Sequence, residues 1–232
     1  MRAARLIAIG CLAATLFCGA CNDLGEGMPE MNVPVRPKDV TDFSTLFNEN
    51  CSACHGENGQ NGPALDLANP VYQGIIDDAS LKKWITNGMP GTEMPAFGES
   101  AGGFLTDQQV DALVAGMRAN WARGGASGAA PPPYAANLRG EEKSGEQLYR
   151  DACLSCHQKA GEQILNASYL ALASDQSLRT ITIAGRPDLG QPDWEHDRPN
   201  HPLTNEDVTN VVAYLASLRS ATPGQPYPNV TK

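Results

Sequence analysis

The sequence predicts an all-α protein built as two tandem domains. Three observations carry that reading. The pentapeptide Cys-x-x-Cys-His occurs twice, as Cys51-Ser52-Ala53-Cys54-His55 and Cys153-Leu154-Ser155-Cys156-His157. Around the two copies the chain of 232 residues repeats itself. Apolar residues recur at helical spacing before each motif and at the end of each repeat, and no alternating run suggests a substantial sheet.

Residues 1–20 read as an export signal: Arg2 and Arg5, then a short apolar run from Leu6 to Phe17. The run is shorter than the ~20 apolar residues a membrane span needs. Cys18-Gly19-Ala20 before Cys21 resembles the lipobox of bacterial lipoproteins, in which the cysteine becomes the lipid-bearing first residue. Leu usually stands where Cys18 does, so ordinary signal cleavage nearby is the alternative. Residues 21–40, rich in Gly, Pro and Met, read as a tether.

The first domain is expected over 41–123 and the second over 141–220, with a Gly/Ala/Pro linker over 124–140 and a tail over 221–232. Leu46-Phe47 precedes Cys51 as Leu148-Tyr149 precedes Cys153, at an offset of 102. Further on, Ser80-Leu81, Trp84 and Gly88 match Ser177-Leu178, Ile181 and Gly185 at 97. Met94-Pro95-Ala96-Phe97 matches Gln191-Pro192-Asp193-Trp194 at the same offset. Each repeat ends in a capped helix. Thr106 and Gln109 form a capping box before Val110, Leu113, Val114, Met117 and Trp121. Thr204, with Asp207 at the third position, precedes Val208, Val211, Val212, Leu215 and Leu218. Between lie loops and one short helix, Ser80 to Asn87 or Ser177 to Ala184.

Cys-x-x-Cys-His is the attachment signature of a c-type haem. The thiols of Cys51 and Cys54, and of Cys153 and Cys156, add to the haem vinyl groups, and His55 and His157 coordinate the irons. Four cysteines in two pairs could instead bind one zinc, or each pair form a redox disulfide. Neither needs a His after the second Cys, and both copies have one. Of the seven cysteines, Cys11 and Cys18 leave with the signal, Cys21 takes lipid, and four take haem. Two covalent haems would also fill cores that are short of aromatics, at 6%.

The order of parts resembles class I cytochromes c: helix, CxxCH, long loop, short helix, Met-Pro, C-terminal helix. The resemblance covers 41–123 and 141–220. It implies two tandem class I cytochrome c domains and a Met as second axial ligand. Met94, followed by Pro95, fits that place, with Met89 as runner-up; Arg186 stands where the repeat would put Met89's counterpart. Gly62-Pro63 resembles the family segment whose Pro carbonyl holds the proximal imidazole. The second domain departs from the family. Gln191 takes the Met place, and no methionine follows Met117. His196 and His201 are the only histidines outside the motifs, with His196 first in order as a distal ligand. Gln191, water or a vacant position are the alternatives. A thioether raises the potential, so two unlike haems are expected, the first higher.

Net charge is −9, and −11 without Arg2 and Arg5. That argues against nucleic acid and anionic lipid as charge-driven partners. The expected function is electron transfer in a respiratory or related chain, by a carrier or complex subunit rather than an enzyme. The expected partners are redox proteins or a membrane respiratory complex. The expected place is the periplasmic side of a bacterial membrane, reached through a lipid on Cys21. The rival is an enzyme of dihaem peroxidase type with an open second haem.

Overall fold

Each repeat opens on a short helix that runs into its CxxCH motif. In the first, α1 (Phe43–Asn50) starts where the Asp42 carboxylate accepts the Thr45 N–H at 2.8 Å, and it buries Leu46 and Phe47. α2 (Ser52–His55) is the motif itself. α3 (Pro70–Ile75), α4 (Asp78–Asn87) and α5 (Asp107–Trp121) complete the domain. In the second, α6 (Glu142–Leu148) passes through a π turn, Tyr149–Cys153, into the motif. α7 (Ala167–Ala171), α8 (Asp175–Ala184) and α9 (Asn205–Ser217) follow. The structure, a computed structural model, describes residues 35–122, 130–157, 163–197 and 201–221. The export signal, Cys21, most of the tether, the start of the linker and nearly all of the tail lie outside the described residues. Among the described residues there are two isolated β-bridges and no strand, so the fold is all-α. No helix among them is long and apolar enough to cross a membrane.

Both capping boxes form. Thr106 Oγ1 accepts the Gln109 N–H while the Gln109 side chain accepts the Thr106 N–H. Thr204 and Asp207 do the same. The apolar faces read from the sequence are the buried ones: Val110, Leu113, Val114 and Met117 in α5, and Val208, Val211, Val212 and Leu215 in α9. In each domain the first and last helices pack against each other, α1 on α5 and α6 on α9. Each crossing is close enough to need a glycine, supplied by opposite partners. A Cβ at Gly116 of α5 would stand 2.2 Å from the Phe43 ring, and one at Gly145 of α6 would stand 2.0 Å from the Asn210 carbonyl oxygen.

Sequence reading expected one short helix between motif and final helix; among the described residues there are two α-helices in each domain. The extra pair, α3 and α7, starts at asparagines spaced 97 apart. Asn69 Oδ1 accepts from the Val71 and Tyr72 N–H groups, and Asn166 Oδ1 from those of Ser168 and Tyr169. At five or six residues, each is too short for helical periodicity to reveal.

The two domains pack on each other. Val71 and Ile75 of α3 touch the apolar clusters of both domains, and Ala184 of α8 is buried in the first domain's cluster. Asn69 Nδ2 donates to the Ala184 carbonyl at 2.8 Å. The Pro-rich end of the linker is built in rather than spare. Tyr134 is buried, and its hydroxyl accepts from Trp84 Nε1 at 2.7 Å. Gln176 and Arg179 of α8 donate to its carbonyl.

Candidate functional site

The two CxxCH turns are copies in hydrogen-bonding detail. Cys54 N donates to Cys51 O at 3.2 Å and His55 N to Cys51 O at 3.0 Å. Cys156 and His157 donate to Cys153 O at the same 3.2 and 3.0 Å. In each turn the first cysteine is half-buried and the second exposed. The turn thus presents both thiols and the imidazole together, as a covalent macrocycle requires.

His55 is oriented from behind. Its Nδ1–H donates to a backbone carbonyl at 2.7 Å, which leaves Nε2 for a metal. The carbonyl is that of Leu65, two residues beyond Pro63. The expected Pro carbonyl is displaced because the segment runs back over the motif, with Ala64 N–H on Cys54 O at 2.9 Å. Burial holds the His55 pKa below its ordinary value; the Leu65 hydrogen bond opposes this, and the nearby Arg186 charge adds to it. Residues 158–162, which follow His157, lie outside the described residues.

The loops that follow α4 and α8 have one backbone design. Met89 N donates to Met94 O at 3.1 Å, and Arg186 N to Gln191 O at 3.0 Å. Gly88 and Gly185 both have φ of 68°, and a Cβ at either would meet the following loop's backbone, at 2.7 Å from Met94 O or 2.5 Å from Pro192 O. Leu105 N donates to Phe97 O, and Leu203 N to Trp194 O, both at 2.8 Å. Gln191 therefore occupies the register of Met94.

Side chains on these loops differ. Met94 is half-buried. The Met89 thioether accepts hydrogen bonds from Ser177 Oγ at 3.0 Å and Ser174 Oγ at 3.5 Å, so the second domain engages it. Gln191 lines a cavity of about 450 Å³ together with Cys153, Cys156, His157, Tyr149 and Leu215. That volume lies within the ~300–1,000 Å³ usual for cofactor sites. His196 does not line it. Its ring is 69% exposed, with Nδ1 on Asp193 Oδ1 at 2.7 Å, which raises its pKa. His201 is exposed as well.

The residues present fit a covalent haem at each motif better than the alternatives. In the first pair, burial pushes the Cys51 thiol up to about 12, where a redox dithiol needs a lowered pKa. The CxxC pairs belong to different domains, and among the described residues no three His, Cys, Asp or Glu side chains gather as a metal site.

Sequence reasoning missed three participants: the Leu65 carbonyl, the Asp66 carboxyl beside it, and the Arg186 guanidinium, which crosses between domains. Asp66 is buried with Oδ1 unpartnered, and burial, then the Asp188 charge, pushes its pKa up. Only Arg186 left a signal, as the basic residue in the place of Met89's counterpart.

Residues 38–115 match the model described as cytochrome c oxidase, cbb3-type, subunit III, and residues 142–219 match that of cytochrome c. A cbb3-type cytochrome c oxidase subunit CcoP of Azospirillum sp. is 28% identical over 201 residues, 75% of this chain and 55% of that protein. CcoP of Azospirillum brasilense is 42% identical over 79 residues, 30% of this chain and 24% of that protein. FixP of Bradyrhizobium sp. is 39% identical over 62 residues, 25% of this chain and 21% of that protein. The chain thus spans little more than half of the first of these relatives and a quarter or less of the others. A chain of a reducing HAO-like protein complex from Kuenenia stuttgartiensis aligns with a TM-score of 0.46 at 17% identity, over 81% of this chain and 100% of that one. Together the duplicated turns and the two matches show two tandem cytochrome c-type domains, the first similar to cbb3-type oxidase subunit III and the second to cytochrome c.

Proposed function

We propose that this chain is a dihaem c-type cytochrome that transfers electrons in a respiratory chain, as a subunit or close partner of a cbb3-type oxidase. One observation carries the reading: the CxxCH turn is built twice with the same hydrogen bonds, on two cytochrome c domains. When bound, each haem supplies a one-electron couple at its iron. Cys51, Cys54, Cys153 and Cys156 tether the groups, and His55 and His157 give the proximal nitrogens. Leu65 fixes the His55 tautomer and ring plane. Met94 offers the first site a thioether, which favours the reduced state. Gln191 offers the second an amide, so the second potential is the lower. Relationship to oxidase subunits supports electron transfer over the peroxidase alternative.

Export, a lipid on Cys21 and a position on the periplasmic side of a bacterial membrane belong to the same proposal and rest on the start of the sequence.

The test is intact mass with optical and EPR spectra of the purified chain. Two covalent haems, one showing a sulfur-to-iron band, and electron exchange with membranes holding a cbb3-type oxidase are expected. Absence of covalent haem at both motifs would falsify the reading.

A further inference from the structure

Arg186 begins the loop that carries Gln191, yet its side chain serves the other domain. Nη1 donates to Ala64 O at 2.9 Å and Nη2 to Gly62 O at 2.8 Å. The same guanidinium holds Asp188 through Nε at 2.9 Å and Nη2 at 2.7 Å. The Arg186 and Asp188 side chains are 8% and 6% exposed, so the pair is shielded from water. Gly62 and Ala64 belong to the short segment whose next carbonyl, Leu65 O, receives the His55 Nδ1–H. Asp66 follows at once, buried and with one oxygen unpartnered. A cation from the second domain and two carboxyl groups thus stand behind the first domain's proximal imidazole.

Two effects follow. Donation to the Gly62 and Ala64 carbonyls, on either side of Pro63, fixes the segment that presents Leu65 O to His55. The partner of a ligating histidine tunes its basicity. A charge at a low-dielectric site also acts over a longer range than one in water.

We propose that Arg186 is a positioning residue for the first haem site, through which the Gln191-bearing loop of the second domain sets that site's potential. The inference rests on the two-haem reading. The guanidinium favours the less positive, reduced state of the centre that His55 ligates, and Asp188 opposes it.

The test is spectroelectrochemical titration of the full chain with both haems, resolving the two midpoints, on Arg186→Gln, Arg186→Lys and Asp188→Asn. Arg186→Gln is expected to shift the one-electron exchange equilibrium between the sites about tenfold against the first, or ~59 mV. Arg186→Lys restores part of that shift. Asp188→Asn moves the first midpoint the opposite way, because it leaves the guanidinium uncompensated. A merely structural clamp would loosen in both Arg186→Gln and Asp188→Asn and shift both alike. Shifts of one sign, or unchanged midpoints, overturn the inference. If Arg186→Gln does not load its first haem, Arg186→Lys and Asp188→Asn decide by the same signs. Wild-type chain without covalent haem defeats the two-haem reading instead.

Discussion

The attachment turns of the two domains share the hydrogen bonds that close them on the first cysteine, and the loops after α4 and α8 agree in backbone but not in side chain. Met89 N to Met94 O is repeated as Arg186 N to Gln191 O, and Gly88 as Gly185. Yet the first loop carries two thioethers and the second a guanidinium and an amide. Duplicated domains can thus diverge in the side chains a loop carries without any change of fold. The same holds at the surface of the short helices. Lys82 in α4 meets Asp111 of α5 in an exposed ion pair at 2.6 Å. Its counterpart Arg179 in α8 is 2% exposed and meets Thr209 of α9, the counterpart of Asp111. Arg179 also reaches Asn205 Oδ1 and the carbonyls of Pro133 and Tyr134. One register thus carries a solvated pair in one domain and a buried anchor for the linker in the other.

The largest test of the comparison removes one site at a time. Cys51→Ala with Cys54→Ala, or Cys153→Ala with Cys156→Ala, is expected to lower the intact mass by one haem and leave the other site's absorbance in place. Loss of both haems from either variant would show that the domains are not independent in attachment. Next, exchanging the distal side chains tests where the asymmetry lies. Met94→Gln is expected to lower the first midpoint and Gln191→Met to raise the second, each by more than the ~59 mV of a tenfold change. If Met94→Gln keeps the sulfur-to-iron band, Met89 is the ligand.

Smaller effects separate the two cations. Arg179→Leu strips donors from several buried acceptors, at ~1–3 kcal/mol each, so urea denaturation should show a loss of at least ~2 kcal/mol. Lys82→Ala should leave the midpoint unchanged, since exposed pairs contribute little. Smallest of all is His196→Ala. Asp193 raises the His196 pKa, so the pair favours the folded loop below the ordinary histidine pKa and loses that contribution as pH rises through the raised value. Because the ring is exposed, a scan of thermal midpoint against pH should barely change, and so should the second haem's spectrum. A new high-spin signal in this variant would identify His196 as a ligand.

What could be read in the sequence is what local rules govern. Thr106 with Gln109 and Thr204 with Asp207 cap their helices by contacts three residues apart, and the apolar faces of α5 and α9 follow from spacing alone. The CxxCH turn closes on itself within five residues. α3 and α7 were legible only as the pair Asn69 and Asn166 at the common offset, a weak signal beside loop-like surroundings.

The sequence alone determined two all-α repeats, two attachment motifs, and the fact that a glutamine stands where a methionine would. Those depend on residues close along the chain and on comparison of one repeat with the other. Only the tertiary structure decided that Leu65 rather than Pro63 meets His55, that Ser174 and Ser177 engage Met89, and that His196 turns to Asp193. It alone brought Arg186 to Gly62 and Ala64, more than a hundred residues away. Such partners are chosen by how the two domains pack, and no periodicity or short motif in the chain encodes that packing.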